Sequence, residues 1–210
     1  MVFKRRDRRP IWKVMLEFFW PKGGWGRAAM YVKHRVNRLP DPPDRIARGI
    51  CAGVFTTFTP FYGLHFVIAA LLAFVMRGNI LAAILATFFG NPLTYVPIGV
   101  ISMKTGYWLL GLEANYEHGG LGHKFVKAGE DLWQNMTAIF SDHAADWSDL
   151  RIFYDEVFYP YMIGGLIPGI AFGLAGYFVT LPIITAYQNR RKGVLKAKLA
   201  SLKKKKAQDL

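Results

Sequence analysis

The sequence has a single cysteine, Cys51. That excludes an internal disulfide framework and any metal cluster built from cysteine alone. Positive charge is scarce in the middle: between Arg48 and Arg190 the basic residues are Arg77, Lys104, Lys124, Lys127 and Arg151. Acidic residues are few overall, 14 against 27 lysines and arginines. A cleavable leader is not expected. The basic start (Lys4, Arg5, Arg6, Arg8, Arg9) is followed by an apolar run that Lys13 and Glu17 interrupt, with no small-residue cleavage site after it. Recognisable catalytic signatures are missing too. No Ser-His-Asp, Cys-His or carboxylate-pair arrangement stands out in the apolar part. Gly119-Gly120-Leu121-Gly122 lacks the Lys-Ser/Thr ending and preceding strand of a phosphate loop. The expectation is a non-enzymatic protein without a cofactor.

What is present is grease and positive charge, kept apart. The chain has 210 residues, 52% of them hydrophobic, and a net charge of +13. Its mean hydropathy is +0.18. Thirteen lysines and arginines lie before residue 49, and nine lie between Arg190 and Lys206. Nine of the 14 acids fall between Glu113 and Glu156. A nucleic-acid-binding domain spreads its basic residues over a folded face. Here the basic blocks flank apolar stretches, the pattern expected of cytoplasmic flanks of membrane spans. Nucleic acid is therefore not an expected partner. Anionic lipid headgroups at the basic ends are.

The fold expected is all-α: a polytopic helical membrane protein. It comprises a short Pro-broken helical hairpin, two longer transmembrane helices and interfacial amphipathic helices. A basic arm covers 1–45. Within it, Pro10–Trp20 reads either as a helix in the headgroup region or as one packed on the protein, and Ala28–Leu39 as a short basic helix. A membrane core covers 46–112, with the hairpin at 46–76 turning at Pro60 and a broken span at 80–110 interrupted by Asn91-Pro92. An acidic outer segment, 113–157, carries expected amphipathic helices at Asp131–Phe140 and Asp146–Phe158. A return span (158–187) and a basic tail (188–210) complete the chain. Only the apolar segments Ile80–Met103 and Phe158–Tyr187 comfortably meet the length of about 20 residues that a membrane span needs. Both ends are basic and the middle is acidic. Positive-inside parity then puts both termini in the cytoplasm and 113–157 outside, whether the hairpin spans or re-enters.

One stretch matches something known. Asp41–Gly99 carries a Pro-rich lead, then Ile46, Ala47 and Gly49. Gly53, Phe55, Pro60, Gly63 and His65 follow, then Arg77 and Asn79, then Asn91, Pro92, Thr94 and Pro97. This order and spacing resembles the bacterial family called domain of unknown function 2062. The resemblance implies an integral bacterial inner-membrane protein. It carries no catalytic residues over, since the family has no established activity.

Candidate ligand-binding residues are the polar groups inside apolar sequence. His65 follows Pro60 in an apolar helix, where an ionisable group is either a functional site or a histidine bonded to a nearby carbonyl. Asn91 and Thr94 sit at the break made by Pro92, which either kinks the span or offers helix-terminal N–H groups to an anion. Thr57 lies at the hairpin tip and faces the same break in this reading. Arg48 and Arg77 flank the hairpin on the cytoplasmic side, snorkelling to lipid phosphates or recruiting a phosphate-bearing ligand, and Asn79 lies with Arg77 in the short polar break that follows the hairpin. Pro60, Gly63, Pro92 and Pro97 are the expected structural breaks. Glu117, His118, His123, Asp142 and His143 match no strong zinc spacing, so no metal is expected. Two functions remain in play. One is binding or moving a lipid or anionic solute through the polar breaks, which needs Asn91, Thr94, His65 and Arg77 to converge. The other is a non-catalytic scaffold of an envelope complex, with a homo-oligomer or a membrane protein as partner. Gly165, Gly169 and Gly173, four apart, form a small-residue stripe suited to close helix packing.

Overall fold

The computed structural model describes residue 12 and residues 24–112, 121–138 and 147–208. The expected helix at Pro10–Trp20 lies outside this range apart from Trp12. All regular structure among the described residues is helical. The helices are α1 (Gly24–Asn37), α2 (Pro43–Thr56), α3 (His65–Val75), α4 (Ile80–Ala86), α5 (Pro92–Leu110), α6 (Leu121–Ala138), α7 (Ser148–Phe153) and α8 (Tyr159–Gln208). A 3-10 turn, Thr87–Phe89, follows α4, and a π turn, Tyr154–Phe158, joins α7 to α8.

Two compact units divide the chain. The smaller comprises Met1–Pro43 with Pro182–Leu210. Val36, Leu39 and Ile184 are buried there, and Gln188 donates to the Asp41 carbonyl at 2.9 Å. The larger, Asp44–Leu181, holds every candidate site residue.

In the larger unit each turn has a local cause. α2 begins with Pro43, whose fixed φ suits the first helical position, and Asp44 complements the positive helix start. It ends in threonines. Thr56, Thr57 and Thr59 donate their hydroxyls to the carbonyls of Ala52, Val54 and Thr56 at 2.7–2.8 Å. Such hydroxyl-to-carbonyl bonds, three or four residues back, accompany the end of the helix. Pro60 and Gly63 (φ 86°) lie in the non-helical stretch before α3. Asn79 starts α4 by accepting from the Ala82 N–H at 2.6 Å. Asn91 starts α5 by accepting from the Leu93 and Thr94 N–H groups, while its own N–H donates to the Thr94 hydroxyl, a reciprocal cap.

Helices α2, α3 and α4 meet through alanine: Ala52, Ala69, Ala73 and Ala83 form one buried cluster. Glycine brings the backbones closer still. A Cβ at Gly49 or Gly53 of α2 would overlap the carbonyl oxygens of Asn79 and Ala83. On α8, a Cβ at Gly165 would overlap the Phe58 carbonyl, and one at Gly164 would overlap Ser102 and Gly106 of α5. Gly169 and Gly173 lie against Phe55, Phe58 and Cys51. The small-residue stripe of α8 is therefore filled by this chain's own α2.

Three elements differ from the sequence-based expectation. The apolar stretch 80–110 is two limbs, Ile80–Phe89 and Pro92–Leu110, bent by 85°. The first outer helix starts at Leu121, ten residues before Asp131. The return helix is longer than the 158–187 span, running on through the basic tail to Gln208. Nothing between residues 188 and 208 breaks a helix except Gly193, and lysine, alanine and leucine favour one. By length and composition one helix, within residues 148–201, is long and apolar enough to cross a membrane. A second qualifies only if the bent pair is taken as one span, and His65–Val75 is apolar but shorter.

Candidate polar junction and cationic corner

The candidate residues separate into two groups, one at each end of α3. This helix has 11 residues, so the groups lie about 16 Å apart along its axis.

At its N-terminal end the two breaks in the chain meet. His65 is buried, 6% exposed, and bonds both of them. Its Nε2 lies 3.1 Å from the Thr59 carbonyl oxygen, and its Nδ1 lies 3.0 Å from the Tyr95 hydroxyl. A carbonyl only accepts, so Nε2 carries a proton and donates. With one ring proton, Nδ1 then accepts from Tyr95. The His65 and Tyr95 rings stack at 5.9 Å and 16°. Tyr62 stands edge-on to His65, Tyr95 and Tyr161, and its hydroxyl donates to that of Tyr161 at 3.0 Å. Gly90 lets this happen: a Cβ there would come within 2.8 Å of the Tyr95 ring and 3.0 Å of the Thr57 methyl. Thr57 thus borders the second break, as expected of the hairpin tip.

The junction is nearly self-satisfied. Thr94 donates to the Phe89 carbonyl, and the Leu93, Thr94 and Tyr95 N–H groups all bond to Asn91. Pro92 has no N–H. The start of α5 therefore offers no open N–H to an anion, unlike the broken-helix expectation. Polar capacity remains in the phenols and the imidazole. Tyr62 is 44% exposed, so the cluster reaches the surface there. Ser102 is fully buried nearby on α5. Pro97 lies inside α5, where it withholds one helix hydrogen bond.

At the other end of α3 lie Arg48, Arg77 and Asn79. Arg48 forms an ion pair with Asp44 at 2.7 Å and donates to the Met76 carbonyl at 2.9 Å. Asp44 also accepts from the Tyr177 hydroxyl at 2.7 Å, which ties α2 to α8. The Asn79 N–H donates to the Arg45 carbonyl at 2.7 Å. Arg77 has φ 52°, and among the described residues it is the non-glycine residue with positive φ. Arg77 and Arg48 therefore do not join His65, Asn91 and Thr94 in one site.

Tyr95, Tyr62 and Tyr161 of the junction were not among the site residues expected from sequence. Tyrosine buried in an apolar helix needs a partner for its hydroxyl, and that requirement marks Tyr161; nothing local marks the turn residue Tyr62 or pairs Tyr95 with His65. A polar pair elsewhere was missed as well: Lys124, 5% exposed, is bonded to Glu156 beside the π turn, where the Tyr107 hydroxyl donates to the Glu156 carbonyl. Among the described residues no group of three His, Cys, Asp or Glu side chains gathers as a metal site. His123 is exposed, and Glu117, His118, Asp142 and His143 lie outside the described residues.

The chain is thus an all-helical protein whose polar side chains collect at a junction of two helix breaks and at a cationic corner. It belongs to domain of unknown function 2062, a family of uncharacterised proteins conserved in bacteria, whose model matches residues 26–193. No curated protein and no solved structure matches it.

Proposed function

We propose that the chain is a multi-pass protein of the bacterial inner membrane that binds or moves a lipid or an anionic solute at the polar junction. The single observation behind this is the His65 ring, bonded at once to Thr59 of one helix break and Tyr95 beyond the other. Polar breaks inside apolar helices are tolerated in a membrane when they are buried in protein or face water, and such places are where transport sites form.

Exposed apolar side chains support the membrane reading. Phe74, Val75, Val96, Trp108 and Phe178 are each 66–77% exposed. An apolar surface of this kind needs lipid or another protein over it. At 14 and 11 residues, α2 and α3 rise about 21 and 16 Å, short of the roughly 30 Å hydrocarbon core. The hairpin is accordingly read as re-entrant, with its tip inside the membrane and Arg48 and Arg77 at the cytoplasmic face. The bent pair 80–110 carries the chain out, α8 brings it back, and residues 113–157 lie outside. No bond is made or broken in this role, which is non-catalytic. The scaffold alternative loses one of its motives, because the α8 glycines pack internally rather than toward a partner.

Purification in mild detergent followed by mass spectrometry of co-purifying lipids and solutes tests the proposal. Wild type retains a lipid or anionic solute that His65→Gln and Tyr95→Phe release while still melting as folded proteins. Empty wild-type protein, or equal retention in the variants, refutes it.

A further inference from the structure

We infer that Arg77, at the corner made by α2, α3 and α4, binds the phosphate of an anionic lipid. Its acyl chains would lie along the exposed face of α3. The inference rests on the membrane reading but not on a ligand at the His65 junction.

The first observation is backbone conformation. The Gly78 N–H donates to the Ala73 carbonyl at 2.7 Å and the Arg77 N–H to the Phe74 carbonyl at 3.0 Å. This pattern ends a helix with one left-handed residue, a place usually filled by glycine. Here the left-handed residue is Arg77, with φ 52°. A glycine at 77 would end the helix with less strain. Gly78 does not take that role because it is needed where it stands: a Cβ there would come 2.7 Å from the Gly49 nitrogen. The chain thus holds a large cation in a conformation that disfavours it. Strain of this kind gathers at ligand sites.

The second observation is charge. Arg77 is exposed and has no carboxylate partner among the described residues. Arg48 stands beside it, reaching the carbonyl of Met76, the residue before Arg77. Asp44 balances only one of the two guanidiniums. The Arg48 Nε is buried without a hydrogen-bond partner. A guanidinium fork matches two phosphate oxygens at once.

The third is the surface leading to the corner. Val67, Leu71, Phe74 and Val75 recur at helical spacing along α3, and each is 57–77% exposed. An amphiphile with a phosphate at Arg77 would have this apolar stripe under its chains. A free phosphate ion would leave it unused, which favours the lipid.

The test is native mass spectrometry of the full chain in neutral detergent. Added phosphatidylglycerol is compared with phosphatidylcholine and with inorganic phosphate alone. The variants are Arg77→Gly, Arg77→Lys and His65→Gln. Wild type retains phosphatidylglycerol over phosphatidylcholine. Arg77→Gly loses that retention about tenfold, as expected for removing a charge-assisted bond, with no fall in melting temperature. Arg77→Lys keeps part of it, and His65→Gln keeps all of it. Full retention by Arg77→Gly, or equal retention of the two lipids, overturns the inference. So does displacement of the lipid by inorganic phosphate. Loss in His65→Gln alone would move the lipid to the junction, overturning the corner while sparing the proposed function.

Discussion

The two ends of α3 treat polar groups in opposite ways. At the His65 end, donors and acceptors are matched among themselves: imidazole to carbonyl and phenol, threonines to the end of α2, Asn91 and Thr94 to each other. At the Arg77 end a cation is left over, in a backbone conformation better suited to glycine. The difference teaches where each end spends its side chains. One keeps irregular backbone tolerable inside an apolar fold and brings its remaining polar capacity, phenols and an imidazole, to the surface at Tyr62. The other leaves charge directed at something the chain does not itself supply.

Breaking both ends together should have the largest effect. Gly53→Val places a side chain against the Ala83 carbonyl beneath the hairpin, and backbone cannot yield as a flexible side chain can. The expected cost is about 4 kcal/mol or more, read as loss of folded protein on size exclusion in detergent. Lys124→Ala spares both ends of α3 and removes the buried cation that pairs with Glu156, costing about 3 kcal/mol by thermal melting. That sets the scale for a charge that the fold itself has paired. His65→Ala should cost less, about 1–3 kcal/mol, because it leaves the Thr59 carbonyl and the Tyr95 hydroxyl without their partner. Arg77→Gly should be the smallest and of opposite sign, stabilising by about 0.5–1 kcal/mol through relief of the left-handed residue. If Arg77→Gly destabilised the protein more than His65→Ala, the contrast between a satisfied end and an unspent end would be gone.

Much of the local punctuation was legible. Pro60 with its threonines, Asn79 before Ile80, and the Asn91-Pro92-Leu93-Thr94 cap act through neighbours a few residues away, so their residue types announce them. The glycine stripe on α8 was legible as a packing face, though not its partner. What was hidden depends on distant contacts. Asn91-Pro92 announces that a helix starts, but not the 85° bend, at which Gly90 fits against the distant Thr57. Tyr95 is 30 residues from His65, and no spacing rule joins them. The positive φ of Arg77 arises because Gly78, the obvious candidate for it, is held by contact with α2. For the site, sequence pointed to His65 and Thr57 but grouped Arg77 with them. The length of α3 keeps them apart.

Sidedness tests the central claim most directly: a membrane chain with both basic ends inside and 113–157 outside. In a Cys51→Ala background, Lys127→Cys and Lys198→Cys would be exposed in turn to a membrane-impermeant maleimide on intact spheroplasts. The account predicts that Lys127→Cys labels at once and that Lys198→Cys labels only after lysis. Labelling of Lys198→Cys in intact spheroplasts, with Lys127→Cys protected, would contradict it.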